Sequence, residues 1–270
     1  MLDAVTVVDA HVHVHPGAEA GALLDSAARN LAAVATEIGA QTWQGVLMLA
    51  EMRGTDWFES TRRRAPQAPG WSIEPVADDP ASLSATKPGV DLTIIAGRQV
   101  VTAEGIEVLA LATTAGIDDG LSLADTISAA VGHGALVVLP WGAGKWLGLR
   151  GRLVGEAVAA GTQPVFVGDN GGRPSFWPEP AVFGGVHAKG RPVLSGTDPL
   201  PLPGEERRVG SFGFWLHDSL TAEAPSRSLR ERLLGASADN VFRFGHLQGA
   251  VRFLKSQVQL RMRKGNAVRG

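Results

Sequence analysis

Two apolar patterns alternate along the chain. Short Val/Ile/Leu-rich runs occur in "TVVDAHVHV", "GVLMLAE", "DLTIIAG", "IEVLALAT", "ALVVLP", "PVFVGD" and "PVLSGTD", with a further one at "WSIEPVA". Runs of this kind bounded by turn residues predict buried strands. Helix-spaced stretches lie between several of them: "AGALLDSAARNLAAVATEIG", which closes on Gly39, "LADTISAAVGHG" and "LRGRLVGEAVAAG". Strands alternating with helices predict an α/β fold with a mainly parallel sheet covered by helices, and 270 residues suffice for a single α/β barrel or two small domains. One segment breaks the rhythm. "TIIAGRQVVTAEGIEVLALAT" reads as two strands joined at "AEG", a hairpin.

No internal repeat or low-complexity linker divides the chain. Residues 1–240 are therefore expected to form one barrel domain. Residues 241–270 differ in charge: they hold Arg243, Arg252, Lys255, Arg261, Arg263, Lys264 and Arg269 and no acidic residue, against a net charge of −2 for the whole chain. The same segment carries a helix-spaced apolar stripe at Leu247, Val251, Leu254 and Val258. It is expected to be a basic amphipathic helix packed on the acidic body, with an anionic partner or membrane surface as the alternative.

In a parallel barrel the reactive groups stand where strands end and loops begin. Those positions are polar here, strand after strand: His11, His13 and His15, then Glu51, Arg98 with Gln99, Lys145, Asp169 with Asn170, and Asp198. Histidines at alternate positions of a strand project from one face. Crowded imidazoles repel when protonated, whereas an ion between them takes neutral nitrogen donors. His11 and His13 are thus candidate metal ligands, with Asp198 and either Glu51 or Asp169 completing a nitrogen and oxygen shell. The bland alternative is a hydrogen-bonded core pair oriented by Asp9. Pro16 and Gly17 turn the chain just after His15 and leave it outside the shell. The chain has no cysteine, which excludes disulfides and thiolate sites and leaves His and carboxylates to hold any transition metal.

Asp9, His11 and His13 spell Asp-x-His-x-His at the end of the first strand, and "VLSGTDPLPLPGEERRVG" places Asp198 after a late one. This arrangement resembles two groups of metal-dependent hydrolases, the amidohydrolase superfamily and the PHP (polymerase and histidinol phosphatase) domains, with the PHP pattern the nearer. "AGRQVVTAEGIEVLAL" is similar to the PHP segment in which Gly-x-Glu ends a strand. The resemblance implies a distorted (β/α) barrel, PHP-like or TIM-like, and a metal-dependent hydrolase. Departures are specific: Gln99 stands at the glutamate position, Trp141 near an expected His-Pro, and Pro199 where His often follows the late Asp. They imply one divalent ion (zinc, manganese or iron) rather than two or three.

The function expected is hydrolysis of a phosphate ester, or another small anionic substrate, by metal-bound water. Asp198 would bind the ion and accept a proton, and Lys145 would offer a point charge. Arg98, Gln99, Trp141, Asn170 and Arg173 are candidates for contacting the substrate. Two alternatives stand beside this: a catalytically inactive PHP-like protein that binds an anionic ligand or partner, and an amidohydrolase-type C–N hydrolase. "GAGKW" lacks the residues of a phosphate-binding loop, and no zincin, serine hydrolase or dinucleotide motif is present. Nothing marks a nucleic-acid binder. The absence of a leader pattern and of a long apolar run predicts a soluble cytoplasmic protein.

Overall fold

The computed structural model describes residues 2–64 and 68–267, with side chains described as far as Met262. Its strands form two mixed sheets. In chain order they are β1 (Leu2–Val12), β2 (Ala40–Leu49), β3 (Ser72–Val76), β4 (Asp79–Lys87), β5 (Val90–Ile95), β6 (Gly97–Val101), β7 (Glu107–Leu111), β8 (Leu136–Pro140), β9 (Val165–Asn170), β10 (Val193–Gly196), β11 (Phe212–His217) and β12 (Phe242–Gly245). The helices are α1 (Ala20–Glu37), α2 (Trp57–Arg63), α3 (Leu123–Gly132), α4 (Leu149–Ala160), α5 (Ala181–His187), α6 (Pro225–Gly235) and α7 (Ala250–Ala267).

The larger sheet has the order β12-β11-β1-β2-β5-β4-β3 and the smaller β10-β9-β8-β7-β6. The expected closed (β/α) barrel is therefore corrected to two open mixed sheets. The physical reason lies in the edges of β1 and β2. Each strand has two hydrogen-bonding edges; β1 uses its own for β2 and, antiparallel, for β11, while β2 pairs with β1 and β5. No free edge remains along either strand for the smaller sheet to join. The hairpin expected at "AEG" is formed by β6 and β7, and β7 also runs antiparallel to β8.

Backbone hydrogen bonds join the two sheets at strand ends. At one seam Glu51 N–H donates to the Gly97 carbonyl at 3.0 Å and Gln99 N–H to the Glu51 carbonyl at 2.9 Å. At the other, Asp198 N–H donates to the His11 carbonyl at 2.8 Å. Both seams need glycine. A Cβ on Gly97 would lie 2.5 Å from the Leu49 carbonyl oxygen, and one on Gly196 2.3 Å from the His11 nitrogen.

Three apolar layers hold the sheets. Val8, Ala10, Val46 and Met48 face Leu109, Leu136, Val138 and Phe166 across the space between them. The outer face of the larger sheet buries Val5, Val7, Leu47 and Leu92 against α1, whose Leu23, Leu24, Ala27, Leu31 and Val34 follow helical spacing. Each fully buried leucine there contributes about 2 kcal/mol. The outer face of the smaller sheet packs Val137, Leu139 and Val165 on α3 and α4 through Ile127, Ala130 and Val154. The Ser122 side chain accepts the Asp125 N–H at 3.2 Å and starts α3.

α7 corrects a further expectation. Phe253 and Ser256 are its buried positions, whereas Val251, Leu254 and Val258 of the predicted stripe face solvent. Among the described residues no helix is long and apolar enough to cross a membrane.

Candidate metal centre

A β-bulge aims the histidines. Along β1, Val5 and Val7 point to α1 and Val8 and Ala10 to the space between the sheets. Strict alternation would send His11 and His13 to the α1 side with Val7. Between Asp9 and Val12 the register with β2 shifts: Asp9 is opposite Leu47 and Val12 opposite Leu49, so β1 holds one extra residue. After the bulge Val12 joins the α1 face, and His11 and His13 take the inner one.

There they meet Asp198, which follows β10. The Nε2 atoms of His11 and His13 are 3.0 Å apart, and Asp198 Oδ1 lies 3.7 Å from the first and 3.3 Å from the second. Both histidines are buried. Asp198 adopts a left-handed backbone, φ 46°, tolerated by Asp more readily than by most side chains. Asn170, the last residue of β9, donates from Nδ2 to Asp198 Oδ2 at 3.0 Å and to the Trp141 carbonyl at 2.7 Å. Gln99 hydrogen-bonds His11.

Burial pushes the His11 imidazole down to about 4, with Asp198 opposing the shift and His13 adding to it. Burial raises the Asp198 carboxyl, but His11, His13 and Lys145 together outweigh it and hold the group well below the usual carboxylate range. At neutral pH the cluster therefore presents a neutral imidazole at His11 and a carboxylate. His11, His13 and Asp198 could hold a metal ion, and no other such group occurs among the described residues. A cavity of about 440 Å³ adjoins it, lined by His13, His15, Leu23, Pro199, Leu202 and Glu206. His15 Nε2 is 2.7 Å from the Pro199 carbonyl oxygen, a hydrogen bond that ties the two rims of this cavity together.

The other expected site residues separate into three groups. Gln99 and Asn170 stand at the cluster as described, and Lys145 is close enough to act electrostatically on both His11 and Asp198. Lys145 is also ion-paired with Glu107. Trp141 lines a separate groove with Trp146 and Trp177, its ring edge-on to Trp177 at 6.0 Å. Arg98 and Gln99 line a neighbouring cavity with Arg53.

Glu51, Asp169 and Arg173 are corrected. Glu51 Oε1 accepts the Phe58 N–H at 2.9 Å at the start of α2, and its carboxylate is not among the donors that converge with the histidines. Asp169 precedes Asn170 on β9, and alternation puts the two on opposite faces. Asn170 reaches Asp198, while Asp169 is buried in a bidentate pair with Arg173, at 2.8 Å on both oxygens, and a further pair with Arg243. Arg173 is thereby committed to Asp169 rather than to a ligand.

Sequence reasoning gave Asp9 a lesser role than it has. Its carboxylate takes the N–H groups of Thr197, Gly210 and His11 and the Thr197 hydroxyl. Burial raises it to about 6 against these hydrogen bonds, which leaves it ionised at neutral pH. The signal available was its depth in an apolar run, which requires hydrogen-bond partners from elsewhere.

No family model matches the chain, and no curated protein matches it. Among solved structures it is similar to the crystal structure of PsfC from Pseudomonas syringae PB-5123, with a TM-score of 0.54 at 13% identity, over 96% of this chain and 98% of that one. At that identity the similarity is one of fold.

Proposed function

We propose that the protein is a mononuclear metal-dependent hydrolase acting on a phosphate ester or similar small anion. One observation carries the reading. The three donor atoms form a triangle with edges of 3.0, 3.3 and 3.7 Å. Tetrahedral coordination with bonds of about 2.0–2.1 Å spaces its donors about 3.3 Å apart. Hydrogen bonds between the imidazoles and between His13 and Asp198 would account for two edges; a shared cation accounts for all three. Two imidazoles and a carboxylate suit zinc, manganese or iron, and three protein donors leave a position open for water or substrate.

His11, His13 and Asp198 would hold the cation, which would supply Lewis acidity toward a substrate oxygen and a water. The chain's own groups do the rest. Asn170 fixes the orientation of the Asp198 carboxylate, and Gln99 fixes that of the His11 ring. Lys145 supplies positive charge beside the cluster, and the neighbouring cavity sets Arg53 and Arg98 against Asp118 and Asp119.

A second reading, binding without turnover, is favoured by one feature. The side chains that hydrogen-bond His11 and Asp198, Gln99 and Asn170, are amides and cannot take up a proton at neutral pH. Elemental analysis of protein purified without chelator or nickel resin, followed by a phosphate-ester screen, separates the readings. The expected result is about one equivalent of metal in the parent, none in the His11→Ala/His13→Ala variant, and turnover only in the parent. Metal without turnover supports the second reading. No metal even after reconstitution overturns both.

A further inference from the structure

Only one face of α7 packs. Phe253 is 8% exposed and sits edge-on to the rings of Phe176 and Trp177 at 6.3 and 6.2 Å. Gln248 Nε2 donates to the Ser256 hydroxyl, and Arg252 pairs with Glu205 at 3.2 Å. The helix is thus fixed to the body at several points. Its other face is apolar and bare: Val251 is 83% exposed, Leu254 61%, Val258 56% and Met262 65%.

At 3.6 residues per turn these four fall within an arc of about 80°, opposite Phe253 and Ser256. Lys255 borders the arc on one side and Arg261 on the other, both exposed. Residues 241–270 contain no acidic side chain. An apolar stripe bordered on both sides by cations is the pattern of a helix lying in the plane of a lipid interface, with side chains among the acyl chains and ammonium and guanidinium groups at headgroup phosphates.

We infer that the exposed face of α7 docks the protein on an anionic lipid surface. The charge pattern favours this occupant over a second α7, because two such helices would bring like charges together along the whole stripe. It also accounts for an apolar face left bare on a helix that is otherwise anchored. The packing of Phe253 keeps the stripe turned outward, so docking needs no rearrangement of the body.

Co-sedimentation of the full chain with phosphatidylcholine vesicles, with and without phosphatidylglycerol, tests the inference. Binding should be at least about tenfold stronger with phosphatidylglycerol and should weaken with added salt. Leu254→Glu/Val258→Glu and Lys255→Glu/Arg261→Glu should each abolish it while leaving the melting temperature of the protein unchanged. Equal binding to both vesicle types, or none to either, overturns it. A concentration-dependent dimer in light scattering that Leu254→Glu/Val258→Glu dissociates would make a second copy the occupant instead.

Discussion

Asp9 accepts two hydrogen bonds from Thr197, one from the N–H at 2.8 Å and one from the hydroxyl at 2.5 Å, across a separation of 188 residues. His11 near the end of β1 and His13 just past it follow Asp9, and Asp198 follows Thr197 after β10. The pair is therefore a latch that sets the distance between the ligands of one sheet and the ligand of the other. A carboxylate suits the task because all four of its contacts are donors.

Asp9→Asn puts an NH₂ where one of those donors points. Metal affinity should fall about 10- to 100-fold, the usual effect of losing an outer partner of a ligand, with a stability loss of about 1–3 kcal/mol. Isothermal titration with zinc and urea unfolding measure the two. Full metal affinity in a folded Asp9→Asn protein would show that the latch does not position the ligands.

Gly196→Ala tests the seam. The new Cβ would meet the His11 nitrogen, Cβ and Cα at 2.3, 2.6 and 2.9 Å, none of them the end of a flexible side chain. Overpacking of this kind costs about 3 kcal/mol. The variant should melt several degrees lower and bind metal weakly, since the clash drives β10 away from β1. An unchanged melting temperature would mean the sheets are not held as closely as described.

Arg173→Ala separates a structural from a substrate-binding arginine. Asp169 is fully buried, and losing its bidentate partner should cost about 3 kcal/mol, with Arg243 limiting the loss. Substrate affinity of the folded fraction should be unchanged. A raised KM with unaltered urea midpoint would restore Arg173 to the binding site.

Metal retention should extend to unusually low pH. The His11 imidazole titrates at about 4 rather than 6.5, so protons compete for its nitrogen only well below the ordinary histidine range. Equilibrium dialysis should show the ion held at pH 6 and released as the pH approaches about 4. Release centred near 6.5 would contradict the burial of His11. In metal-free protein the same shift has a definite sign. The unfolded chain takes the proton first, so the stability His11 contributes is full above 6.5 and is lost as pH falls towards 4. Asp9, raised from 3.8 to about 6, acts oppositely: its contribution is full below 3.8 and is lost as pH rises through about 6.

The chemistry of the site was legible in the chain because it depends on residue type and short spacing. "DAHVH" fixes two imidazoles on one strand face, and "SGTD" supplies a carboxylate at the end of another apolar run. The strands β1, β2, β5 and β7 to β10, and α1, α3 and α4, were equally visible, because a buried element writes its periodicity into its own residues. β4, "DPASLSATK", was not, since Ala and Ser bury without an apolar signature. Nor was β11, whose "FGFWLH" follows a glycine-rich turn and alternates weakly.

Those two unseen strands decided the architecture. β11 occupies one edge of β1, and β4 extends the larger sheet through β5, so the parallel ladder cannot run on into a barrel. Which carboxylate joins the histidines was likewise a tertiary outcome. A one-residue bulge turned His11 and His13 inward, alternation on β9 chose Asn170 over Asp169, and Thr197 brought Asp198 to Asp9. Strand pairing and register are relations between distant segments. A single chain read locally specifies the groups that can bind a metal, and only the folded sheets determine which of them meet.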